Sequence, residues 1–208
     1  MAVVKIPPRP VLVSLTPRDE PVFQHPHRSD LVFVESGNYI VRTLIGADVT
    51  DEMVSWFNRD DMLRGLNIGR LNFSLDSLKR FVSGFDNFNN YILGIFEKGV
   101  DSPVGFYTID VNRMHKTGSF TAGIGEASQK GKKTLWATID AVLDHFYAER
   151  DIDKFTAKIL SRNFAMLFNF RNNGRFFLEA HLKKECLAPN GKRVDLLVFA
   201  SYKPAHLS

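Results

Sequence analysis

The chain has 208 residues, with 27 Lys plus Arg against 23 Asp plus Glu, a formal net charge of +4, and 44% apolar and 12% aromatic residues. That composition describes a folded globular chain, and its 18 Phe carry too much apolar surface for a solvated coil. It offers no run near the ~18 apolar residues of a membrane span and no apolar signal region at its start. The single cysteine, Cys186, excludes both an internal disulfide and a thiolate metal cluster, so a cytoplasmic protein is expected.

Residues 1–38 form a proline-rich arm. Six of the nine prolines lie between Pro7 and Pro26, and each fixes φ and removes a backbone donor. Val11–Leu15 and Leu31–Val34 are apolar enough to lie along a body or a partner chain.

From Tyr39 a single domain, 39–208, is expected. Tyr39–Leu44 alternates as a strand. Thr50 is placed to cap a helix with Asp51 and Glu52 in its first turn; Asn58–Asn72 reads as polar and glycine-punctuated. Ser74 caps a second helix that carries Leu75, Leu78, Phe81 and Val82 on one face. Tyr91–Glu97, Val104–Val111 and Ser119–Gly125 read as three consecutive strands. A lysine- and glycine-containing stretch then leads into a long helix, with Leu135, Ile139, Val142, Leu143, Phe146 and Tyr147 at helical spacing. Lys154–Leu160 reads as a buried strand, and Asn163–Asn173 as a short helix ended by Gly174. Phe176–Leu187 and Val194–Tyr202 close the chain as a hairpin around Pro189–Gly191.

This order predicts an α/β (α+β) fold with a mixed, mostly antiparallel seven-stranded sheet and helices on both faces. The three consecutive strands are antiparallel neighbours, and the strand–helix–strand unit from Ser119 to Leu160 is a parallel crossover.

Several residues stand in the order of a known pattern. Ser128-Gln129-Lys130-Gly131-Lys132-Lys133-Thr134-Leu135 precede the long helix. Tyr147 and Lys154 follow, then Asn163, with Gly174 eleven residues later, then Glu179 and the hairpin Asn190–Asp195. On these residues the chain from roughly Tyr39 to Tyr202 resembles the GNAT acetyltransferase superfamily, in particular the branch that acetylates ribosomal-protein N-termini and amino sugars. It departs from that branch in five places: Lys130 stands for the loop Arg, Lys133 for its second Gly, Leu135 for a small residue, Met166 for a Ser, and Phe170 for a Tyr. The resemblance implies acetyl-CoA as co-substrate, a peptide or small-molecule amine as acceptor, and a splayed central strand pair. It also implies that Asn163 bonds the coenzyme arm and that the region between the first two helices shapes the acceptor pocket.

The residues themselves support that chemistry. A helix N-terminus presents unpaired N–H groups and partial positive charge, which suits a pyrophosphate. Lys130, Lys132 and Lys133 add charge there, Gly131 admits close backbone approach, and Thr134 and Leu135 open the helix. Gly123 and Gly125 mark a bulge, a close backbone approach, or a strand packed on a large side chain. Following the resemblance, the N–H near Ile124 is the candidate oxyanion donor, with Gly125 beside the coenzyme arm. Glu126 is the first candidate base; Asp110 and Glu97 are weaker ones. The stretch Trp56–Phe73, with Asn58, Arg59, Asp60, Asp61, Arg64, Asn67 and Arg70, suits a hydroxylated or charged amine. The histidines make no metal pattern, and no metal is expected. No groove-reading motif is present, so neither nucleic acid nor membrane is an expected partner, and the assembly is a monomer or homodimer. The alternative reading is a non-catalytic acyl-CoA-binding or scaffold protein on the same fold.

Overall fold

The computed structural model describes residues 31–125 and 133–207. Among them, eight strands build one sheet: β1 (Phe33–Ser36), β2 (Tyr39–Thr43), β3 (Asn90–Glu97), β4 (Pro103–Asn112), β5 (Thr117–Ile124), β6 (Lys154–Leu160), β7 (Phe177–Leu187) and β8 (Arg193–Tyr202). Their spatial order is β1-β2-β3-β4-β5-β6-β8-β7. Every neighbouring pair is antiparallel except β5 and β6. The helices are α1 (Asp51–Asn58), α2 (Asp60–Leu66), α3 (Leu75–Ser83), α4 (Thr134–Glu149) and α5 (Phe164–Asn172). No helix of the described residues is long and apolar enough to cross a membrane.

The eighth strand is β1, which lies within the segment read as an arm. Phe33–Ser36 pairs with Tyr39–Arg42. Val32 is buried, and Thr43 ties it down: the Val32 N–H donates to Thr43 Oγ1 at 2.9 Å and the Thr43 N–H to the Val32 carbonyl at 3.0 Å. The proline-rich part of the arm lies outside the described residues.

Alternation along the strands sorts the core into two layers. On β3, Tyr91, Leu93 and Ile95 face α4 and α5, while Ile92 and Phe96 face α1 and α3. Helix α4 buries Leu135, Ile139, Val142, Leu143, Phe146 and Tyr147 on the first side. Met53, Trp56 and Phe57 of α1 and Leu78 and Val82 of α3 fill the second. Each such fully buried apolar side chain contributes about 1.5–3 kcal/mol.

The caps read from sequence at Thr50 and Ser74 are in place, and Asn163 caps α5. Thr50 Oγ1 accepts from Met53 N, Ser74 Oγ from Ser77 N and Asn163 Oδ1 from Met166 N, each at 3.3 Å. Gly191 takes φ +77 in the final hairpin turn. Two details differ from expectation. Asn173, in extended conformation, ends α5, and Gly174 is not in the left-handed region. The stretch read as polar loop contains α2, whose Met62 and Leu63 are buried.

Candidate active site

The parallel pair β5–β6 is bonded over three residues only, Thr117–Ser119 against Lys154–Thr156. Beyond them the strands part, and a cleft of about 860 Å³ opens between Phe120–Ile124 and Ala157–Leu160. The first turn of α4 and the face of α5 carrying Asn163, Met166 and Phe170 line it on one side, and α2 on the other.

Backbone phase decides what β5 offers to that gap. The Gly125 N–H donates to the Val104 carbonyl at 3.0 Å, so Val104 and Gly125 form a hydrogen-bonded pair. The β4–β5 register then runs without a break from Gly105–Ile124 to Asn112–Thr117. Hydrogen-bonded and non-bonded pairs alternate in an antiparallel ladder. The N–H and C=O of Ile124 and Ala122 therefore turn away from β4, toward the side where β6 has left. A donor aimed into a cleft beside a helix N-terminus is the arrangement that stabilises a developing oxyanion.

Gly123 of β5 and Gly125 just past its end mark large side chains rather than a bulge. A Cβ on Gly125 would lie 1.8 Å from Cδ2 of Trp56, and one on Gly123 2.6 Å from the Phe106 ring. Trp56 therefore lies directly against the backbone at Gly125. Arg59 fixes the same point, its Nη1 donating to the Gly125 carbonyl at 3.2 Å while its Nε pairs with Asp61 at 2.5 Å.

At the start of α4, Lys133 adopts φ +59 and ψ +22, a conformation that favours glycine. This is the position where the resembled branch carries its second loop glycine. The Thr134 hydroxyl lies 3.2 Å from that of Tyr39, and the Leu135 side chain belongs to the core. Lys133, Thr134, Leu135, Ile124 and Asn163 all line the cleft. Asn163 spends its Oδ1 on the α5 cap. Glu126, Lys130, Gly131 and Lys132 lie outside the described residues. Asp110 and Glu97 do not line the cleft, and Asp61 is the one carboxylate among the described residues that does.

Met166 and Phe170 face the gap without a hydroxyl, as their sequence positions imply. Tyr107 is fully buried, its hydroxyl bonded to Thr138 and to the Leu135 carbonyl. Burial pushes that hydroxyl well above its usual range; it is a structural group. No group of three or more potential metal ligands occurs among the described residues.

Other residues of the sequence pattern serve the sheet. Lys154 and Glu179 pair at 2.5 Å, and the Tyr147 hydroxyl donates to Ser201 at 3.0 Å. Asp195 accepts from Lys184 N and contacts His181, both at 2.7 Å, and these bonds hold its carboxyl below the usual range. Lys158, Arg162 and Trp136 line the cleft without having been expected there. For Lys158 the signal was present: Phe155, Ala157 and Ile159 are buried on one face, which leaves Lys158 on the other.

No protein-family model matches the sequence, and no curated protein matches it. Solved structures do. A GNAT-family acetyltransferase from Bacillus anthracis superposes with a TM-score of 0.70 at 15% identity, covering 82% of this chain and 98% of that one. The ribosomal L7/L12 α-N-protein acetyltransferase RimL, in complex with coenzyme A, superposes with a TM-score of 0.73 at 17% identity over 82% and 98%. Spermidine N-acetyltransferase from Vibrio cholerae, in complex with coenzyme A and spermine, gives 0.71 at 17% over 82% and 99%. The fold is that of the GNAT acetyltransferases.

Proposed function

We propose that the protein is an acyl-CoA-dependent N-acyltransferase that moves an acetyl group from acetyl-CoA to a primary amine, on a protein N-terminus or an amino sugar. The observation that carries this reading is the parting of β5 from β6 beside the start of α4, with the Ile124 N–H turned into the gap. Similar folds bind coenzyme A in RimL and in spermidine N-acetyltransferase.

In this reading Lys130, Gly131, Lys132 and Lys133, with the first N–H groups of α4 at Thr134 and Leu135, hold the coenzyme's pyrophosphate. The backbone of Ile124 and Gly125 and the amide of Asn163 orient its pantetheine arm. Acetyl-CoA supplies the acyl group as a thioester. The acceptor nitrogen forms its bond to the carbonyl carbon while the Ile124 N–H steadies the charge on oxygen. The carbon–sulfur bond breaks, and the thiol leaves as thiolate to be protonated by water, since a thiolate is a tolerable leaving group near neutral pH. Glu126 takes the proton lost by the amine. The non-catalytic reading keeps one observation in its favour, the lack of a hydroxyl at Met166 and Phe170.

Titration calorimetry with acetyl-CoA, followed by thiol release across a set of amines, separates the two readings. Glu126→Gln is expected to lower turnover about 10²–10⁴-fold while acetyl-CoA affinity stays within a factor of two or so. Turnover should recover in part at high pH, where more amine is already neutral. Wild-type turnover at neutral pH in this variant removes Glu126 as the base. Binding without thiol release for any amine supports the non-catalytic protein.

A further inference from the structure

We infer that the acceptor is an anionic amine, one carrying a carboxylate or phosphate near its reacting nitrogen; this rests on the acyltransferase reading above. The cleft has two sides. Lys133 belongs to the α4 side, where the pyrophosphate is placed. On the other side, α2 and the end of β6 bring together Arg59, Arg64, Lys158 and Arg162, against Asp61, the one carboxylate among the described residues that line the cleft.

Asp61 is already paired with Arg59. Arg64, Lys158 and Arg162 are exposed, and none is ion-paired to a described residue. Lys158 projects from the face of β6 opposite to Phe155, Ala157 and Ile159, which pack toward α4 and α5, so it is turned away from the pyrophosphate position. Arg162 bridges the mouth of the cleft, its Nη2 donating to the Arg64 carbonyl at 3.2 Å and to Asn67 Oδ1 at 3.0 Å. This anchors α2 to the end of β6 and holds the Arg162 guanidinium at the opening.

Two consequences follow from charge alone. An acceptor bearing carboxylate or phosphate is drawn to this mouth, whereas a polyamine meets like charges. The same cations disfavour the ammonium form of the amine, which helps supply the neutral nucleophile in a cleft where Asp61, the one described acid, is occupied.

The test uses matched acceptors on the full chain: glucosamine against glucosamine 6-phosphate, and two serine-led peptides differing only in Asp-Glu or Lys-Lys at their second and third positions, with spermidine added. The anionic member of each pair is expected to have about tenfold higher kcat/KM, with spermidine the poorest. The preference should shrink as salt rises from about 50 to 300 mM. Lys158→Glu and Arg64→Glu, both on exposed side chains, should abolish the preference while acetyl-CoA affinity, read by calorimetry, is kept. Direct titration of the two peptides gives a readout independent of turnover, with tighter binding of the acidic one. Equal or better use of spermidine, or a preference that survives both reversals, overturns the inference and leaves the acyltransferase reading standing. If none of the amines gives thiol release, the acyltransferase reading falls, and the peptide titrations then still decide the charge preference.

Discussion

The two faces of the sheet are covered unequally. On the α4 side one continuous apolar layer runs from Val41 on β2 to Phe199 on β8, bridged by the rings of Phe120, Phe155, Phe170 and Phe176. On the other side the apolar layer covers β2 to β4 and ends at Phe106 and Met62. Past that point β5 and β6 present Thr117, Ser119, Thr121, Thr156 and Lys158, all at least partly exposed. The fold thus keeps its parted strands rigid from one side and leaves them open to solvent from the other. In the proposed reading the coenzyme takes the first side, beside the start of α4, and the acceptor the second.

Neighbouring residues of one strand test that contrast most sharply. Phe120 points into the dry layer, where its ring meets Tyr107, Phe155, Phe170 and Phe176. Thr121 points to the open face and is exposed. Phe120→Ala is expected to cost about 3–5 kcal/mol of stability, whereas Thr121→Ala should stay within about 0.5 kcal/mol, both read by urea unfolding. Similar losses from the two would show that the open face is also packed.

How much of this was legible beforehand follows from what each element advertises locally. Helix α4 announces itself through six apolar residues at helical spacing, and α1 and α3 through Thr50 and Ser74, whose hydroxyls cap them. Helix α2 was obscured: it has seven residues, contains Gly65, and starts after Arg59 with no side-chain cap. Its acidic start at Asp60 and Asp61 and the buried Met62 and Leu63 were the available signal. Strand β1 was hidden because its support is tertiary, in Thr43 and β2, while the prolines upstream dominate the composition. In the site, the glycines of β5 signalled close packing without naming Trp56. The cationic mouth was half visible. Arg59 and Arg64 lie in a recognisable stretch, but Lys158 and Arg162 reach it only because β6 parts from β5.

The dryness of the α4 face has a titratable reporter. His145 on α4 is half-buried against Phe146, and its Nε2 has no hydrogen-bond partner. Burial, helped by the nearby Arg150, lowers its pKa below the ordinary value of 6.5. The unfolded chain therefore binds this proton more readily than the folded one. Stability is fully present above about pH 6.5 and declines as pH falls through the folded-state value. His145→Leu should remove that part of the acid sensitivity and, by deleting an unpaired nitrogen, stabilise the protein at pH 7 by of order 1 kcal/mol. Urea midpoints between pH 7 and pH 5 give the comparison, and an unchanged slope in the variant would place the acid sensitivity elsewhere.

The smallest effect is expected at the start of α4, at Lys133. Its left-handed backbone costs an L-residue of order 1 kcal/mol, and glycine would relieve this at the expense of a more flexible unfolded chain. The difference leaves a gain of about 0.5 kcal/mol for Lys133→Gly. Lys133→Ala loses the same charge but keeps the strain, so the two variants separate backbone from electrostatics. In calorimetry with acetyl-CoA both should bind a few-fold more weakly at low salt and approach the wild type at high salt, because the lost attraction is screened. In urea unfolding the glycine variant alone should exceed the wild type. Equal stability of the two variants would mean that the left-handed turn at the start of α4 is not a source of strain, and that lysine stands in the glycine position at no cost to the fold.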